Sequence, residues 1–130
     1  MKKILNTMQH ALTSAQIVEI KTKYGDNVEI VDLKNFSESL FSQLSNISVY
    51  ADLSTLAYNL ICTINLNNFD SVILPIGSPA FMYTLASRND EIYADKLFAH
   101  SERVSKEVTN DDGTVTKTNV FNHVSFITIV

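Results

Sequence analysis

Three places in the chain carry residue types that could do chemistry. The first is Gln9-His10, with Thr13 three residues on, just after an apolar run. Histidine titrates near neutral pH, so His10 there can donate to a phosphate or move a proton. The second is Gly77-Ser78-Pro79-Ala80, directly after another apolar run. Glycine lets an anion approach the backbone, and Ser78 followed by Pro79 is the signature of a helix start. The free N–H groups and dipole of such a start favour negative charge. The plainer reading of Ser-Pro is an ordinary cap. The third place is the polar stretch from His100 to Lys106. Strand alternation puts Ser101, Arg103 and Ser105 on one face, where the Arg103 guanidinium could grip two phosphate oxygens. A solvated hairpin edge is the competing reading. His123 lies further along the same third of the chain and is the weaker histidine candidate.

Several chemistries are disfavoured. Cys62 is the single cysteine, and the three histidines are scattered, so neither a disulfide nor a metal site is expected. The phosphate-binding Walker loop and the dinucleotide G-x-G-x-x-G fingerprint are missing, which argues against ATP or NAD; no cofactor is expected. A net charge of −4 speaks against a broad duplex nucleic-acid face but leaves room for a small anionic ligand held by a few donors. Apolar runs fall far short of the ~20 residues that span a bilayer. Met1-Lys2-Lys3 is followed by no signal-peptide core, because Asn6, Gln9 and His10 interrupt it. With a lone reduced thiol, the expectation is a soluble, cytoplasmic protein without membrane partners.

The elements that must position these residues follow from periodicity. The 130 residues suit one domain, 1–130, and 45% apolar content suits a packed core. Ile4 to Met8 reads as a strand. Thr13 and Gln16 have capping-box spacing, Ile17, Ile20 and Tyr24 recur at helical intervals, and Gly25 is a helix stop. Val28 to Leu33 is a second strand. Phe36, Leu40, Phe41 and Leu44 give one helix between Asn35 and Asn46, and Asp52 leads another to Asn65. Ser71 to Ile76 is nearly continuous in apolar residues, as in a central strand covered on both faces, with Pro75 near its end. A helix from Pro79 to about Arg88 follows. Leu97 to Val108, an Asn110-Asp111-Asp112-Gly113 turn, Thr114 to Phe121 and Val124 to Val130 complete a β-rich tail. This order predicts an α/β, Rossmann-like three-layer sandwich with a mainly parallel sheet and a β-hairpin extension. In such sheets ligands gather beyond the carboxyl ends of the strands, where His10 and Gly77 both fall.

The chain resembles the small stand-alone CRISPR-associated ring nucleases of type III systems, the Csx-twenty family. The resemblance spans nearly the whole length. It rests on His10, Leu12, Thr13 and Gln16, on Gly77 to Ala80, and on Arg103-Val104-Ser105, Glu107, the Asp-Gly turn, Val115, Lys117, Val120-Phe121, His123-Val124 and Phe126. It implies a Rossmann-like homodimer that binds a cyclic oligoadenylate messenger, cyclic tetra-adenylate foremost, and degrades it without metal. The ring's own 2′-hydroxyl would attack the neighbouring phosphorus, switching off type III signalling. His10 would be the general acid or a transition-state donor, and Arg103 would neutralise the phosphate. Gln9, Thr13, Gly77, Ser78, Pro79, Ala80, Ser101 and His123 would line the ligand. The chain departs from that pattern at Gln9, where serine is expected, at Ser78-Pro79, where an acidic residue is, and at Ser125, where a basic one is.

Two alternatives stand beside the nuclease. One is a sensor or sponge that binds the ring without cutting it. The other is a structural, partner-binding protein that uses an exposed hairpin edge.

Overall fold

The computed structural model describes residues 1–74 and 76–129, with side chains except at 103, 104 and 119–122. Pro75 and Val130, placed in strands by the sequence reading, and the Arg103 side chain therefore lie outside the described residues.

The described strands are β1 (Lys2–Asn6), β2 (Val28–Asp32), β3 (Ser71–Leu74), β4 (Asp95–Thr109) and β5 (Val115–Ile129). The helices are α1 (Ser14–Tyr24), α2 (Leu33–Phe36), α3 (Glu38–Ser45), α4 (Leu53–Leu66) and α5 (Pro79–Ala86), followed by a 3-10 turn at Asn89–Glu91. The sheet order is β2-β1-β3-β4-β5. β1 pairs in parallel with β2 and β3, β3 with β4, and only β5 runs antiparallel. This is the Rossmann-like α/β sandwich expected from the sequence.

Alternation along the strands divides the core in two. Leu5, Val72 and Leu74 face α2 to α5, where Leu40, Leu60, Ile64 and Phe81 bury them. Ile4, Ile73 and Leu97 face the other way, against Ile20 of α1 and Phe126 of β5. Phe81 is wholly buried, which contributes about 1.5–3 kcal/mol by area alone.

Three boundaries differ from the sequence reading. The first strand begins at Lys2, whose N–H donates to Asn27 O, and it ends at Asn6 rather than Met8. There the Asn6 side-chain oxygen takes the Met8 N–H and turns the chain. The single helix expected between Asn35 and Asn46 is two. Leu33 leaves β2 to start α2, and Ser37, at φ −147°, separates α2 from α3. Its N–H closes the first on Leu33 O, and its carbonyl opens the second by accepting from Phe41 N.

The tail is one long antiparallel pair rather than three segments. Its register jumps between His100 and Ser101, from His100↔Ser125 to Ser101↔His123, leaving Val124 as the extra residue of a bulge. Beyond it the strands run out as a ribbon whose described side chains from 105 to 118 are exposed. Gly113, at φ +85°, supplies the left-handed residue of its turn.

Candidate functional site

Asn6 organises the carboxyl edge of the sheet. It ends β1, is 1% exposed, and makes three hydrogen bonds. Its amide donates to Asp32 Oδ1 at 3.0 Å and to His10 O at 3.1 Å, and its oxygen accepts from Met8 N at 3.1 Å. One buried side chain thus ties the loop after β1 to the end of β2. Thr7 ties the same loop to β3, because both its N–H and its hydroxyl donate to Ile73 O, the latter at 2.6 Å. The loop that carries His10 is therefore anchored to both neighbouring strands.

His10 itself is exposed. Its Nδ1 lies 2.9 Å from Ala11 O. A carbonyl oxygen only accepts, so Nδ1 carries the proton of that bond. Nε2 has no protein partner among the described residues and is the nitrogen left for chemistry.

Two cavities flank this loop. One, of about 320 Å³, is bounded by Thr7, Gln9 and His10, by Leu44 and Ser45 of α3, and by Ile76 and Gly77 beyond β3. The other, of about 270 Å³, is bounded by Gln9, His10 and Ala11 on one side and by Asp32, Lys34 and Asn35 on the other. Met8, Gln9 and His10 are the shared wall. A Cβ added at Gly77 would meet no protein atom within 4 Å, and the backbone there is not left-handed. Nothing in the fold requires glycine at that point, and the space beside it is open.

The helix starts are capped as the sequence predicts. Thr13 Oγ1 accepts from Gln16 N, and Gln16 Oε1 accepts from Thr13 N, completing the capping box of α1. Ser78 Oγ accepts from Phe81 N at 3.2 Å, and Pro79 opens α5. Thr13, Ser78, Pro79 and Ala80 border neither cavity; Thr13, Ser78 and Pro79 start helices. Ser101 is exposed on β4 and borders neither cavity. His123 is held elsewhere. Its Nε2 lies 2.9 Å from Glu19 Oε1 of α1, its ring sits 5.0 Å from that of Phe126, and its Nδ1 is buried without a partner among the described residues.

Asp32, Lys34 and Asn35 are cavity residues that the sequence reading passed over. Lys34 is exposed and has no ion pair among the described residues, so it is a cation available beside His10. Asp32 could have been found from position alone, since it ends a parallel strand. The described residues contain no group of three histidine, cysteine or acidic side chains placed to hold a metal ion. Nor do they contain a helix long and apolar enough to cross a membrane.

A mainly parallel sheet between helical layers, with cavities at its carboxyl edge, defines a Rossmann-like protein. Within that class, residues 2–127 match the model of the Uncharacterized protein MJ1673 family, and the chain belongs to that family. No curated protein matches the chain.

Proposed function

We propose that this protein is a ring nuclease that binds a cyclic oligoadenylate, cyclic tetra-adenylate foremost, and opens it without a metal ion. The observation that carries the reading is the shared cavity: His10 and Gly77, far apart in sequence, line one opening at the carboxyl edge of the sheet. A ring phosphate enters beside Gly77, where no side chain blocks the backbone. Lys34, on the far side of His10, supplies positive charge to the next phosphate.

The ribose 2′-oxygen attacks the adjacent phosphorus and gives its proton to solvent water as the bond from phosphorus to the 5′-oxygen breaks. His10, entering the step as imidazolium, donates its Nε2 proton to the leaving 5′-oxygen and keeps its Nδ1 proton hydrogen-bonded to Ala11 O, so it ends the step neutral. Asp32 accepts from a ribose hydroxyl, as acidic residues near strand ends do in dinucleotide folds. The products are a 5′-hydroxyl and a 2′,3′-cyclic phosphate. Catalysis is positioning plus stabilisation of charge on the equatorial oxygens, so it needs no metal. Such a protein works in the cytoplasm, where it ends type III CRISPR signalling. A second copy, paired along the edge strand β5, matches the two-fold symmetry of the ring.

The test is incubation with cyclic tetra-adenylate and cyclic hexa-adenylate, with and without EDTA, followed by chromatography of the products. The expected result is a linear product ending in a 2′,3′-cyclic phosphate at equal rates in both conditions. His10→Ala should lower the rate by about 10²–10⁴-fold, the usual contribution of a general acid. Bound but intact ring would make the protein a sensor or sponge. No binding at all would leave the partner-binding reading.

A further inference from the structure

A third cavity lies away from His10, between the sheet and α5. It measures about 320 Å³, and Leu85, Ile92, Phe98 and Ile129 give it apolar walls. None of its lining residues borders the two cavities beside His10. One feature of its wall is out of place by polarity. Lys96 pairs in the sheet with Val72 and Ile129, and it is only 5% exposed. The other buried polar side chains, Asn6, Thr7, Gln16 and Ser71, all have hydrogen-bond partners. The Lys96 ammonium has no ion pair among the described residues. Its stem is buried while the ammonium keeps access to the cavity, so a cation without a counter-charge faces that space and an anion there would pair with it. Asn89, on the same wall, offers an amide donor.

We propose that this cavity binds a medium-chain carboxylate, its head on Lys96 and its alkyl chain along Leu85, Ile92 and Phe98. The chemistry selects that class. Apolar walls favour a hydrocarbon, and the single cation on the wall favours one negative charge at its end. A purely apolar ligand leaves Lys96 unpaired, and a highly charged one, such as a nucleotide, finds too few donors.

Calorimetric titration of the intact chain with octanoate, octanol and octylammonium tests this. Octanoate should saturate one site per chain, octanol should bind at least tenfold more weakly, and octylammonium should not bind. Lys96→Met keeps the apolar volume and should remove the preference of octanoate over octanol. Ala86→Trp, at an exposed position on the cavity wall, should abolish binding of both while leaving the core untouched. Absence of saturable octanoate binding by the unaltered protein would overturn the proposal. So would unchanged octanoate affinity in Lys96→Met, or in a folded Ala86→Trp.

Discussion

Asn6 is the residue on which the proposed site depends most, though it touches no ligand in this account. Removing its side chain leaves Asp32 Oδ1, His10 O and Met8 N each short of one hydrogen bond. Asn6→Ala should cost about 1–3 kcal/mol in urea unfolding, the range for leaving buried polar groups unpaired. Ring cleavage should fall with it, because the loop carrying His10 loses its anchor. Gly77→Ala separates fold from ligand. An added methyl meets no protein atom, so the melting temperature should hold, while affinity for cyclic tetra-adenylate should drop about tenfold. Unchanged affinity in Gly77→Ala would remove that residue from the phosphate site. His10 and Gly77 were legible because both follow apolar runs and have residue types suited to anions. Asn6 was not, since in one dimension a polar residue after Ile4-Leu5 reads only as an interruption. Its partners come from β2 and from the returning loop, and pairing between strands sets that geometry.

At the scale of elements, local rules carried furthest where capping decides the outcome. The Thr13 box, the Ser78-Pro79 start and the Asp52 cap all stand where their spacing predicts. Thr13→Ala should destabilise by about 1 kcal/mol in denaturant unfolding, the usual worth of an N-cap. The Asp52 cap should depend on pH. The backbone N–H of Thr55, and then its hydroxyl, donate to the Asp52 carboxylate and hold its pKa below the ordinary aspartate value. The folded form therefore favours the charged group. The cap is fully formed above the unfolded-state pKa and is lost as pH falls through the lowered folded value. Exchange of the Thr55 amide should speed up across that acid window and should lose this pH dependence in Asp52→Asn. Local rules failed where neighbours decide. Nothing in the sequence separates α2 from α3, because the apolar spacing of Phe36, Leu40 and Leu44 continues through the break at Ser37. In the sequence the tail reads as separate segments because a bulge at Val124 hides the continuity of β5, and a bulge is defined only by the partner strand.

At the scale of the molecule, the two cavities beside His10 open at the carboxyl edge of the sheet, and the β4–β5 ribbon runs out beyond the carboxyl end of β3. A two-stranded ribbon has little independent stability, and β5 leaves the outer edge of the sheet unpaired. Light scattering at micromolar concentration should show a dimer. A proline placed at Thr116 or Thr118 in β5 should shift it to monomer if pairing runs along that edge. A monomer in the unaltered protein would exclude the two-fold arrangement. The central claim is that the loops bearing His10 and Gly77 receive the phosphates of a cyclic oligoadenylate. Backbone amide shifts recorded while cyclic tetra-adenylate is titrated into the protein test it directly. Saturable changes should concentrate at residues 7–13, 32–35 and 76–78. Saturable changes confined to the β4–β5 ribbon, or no saturation at all, would contradict it.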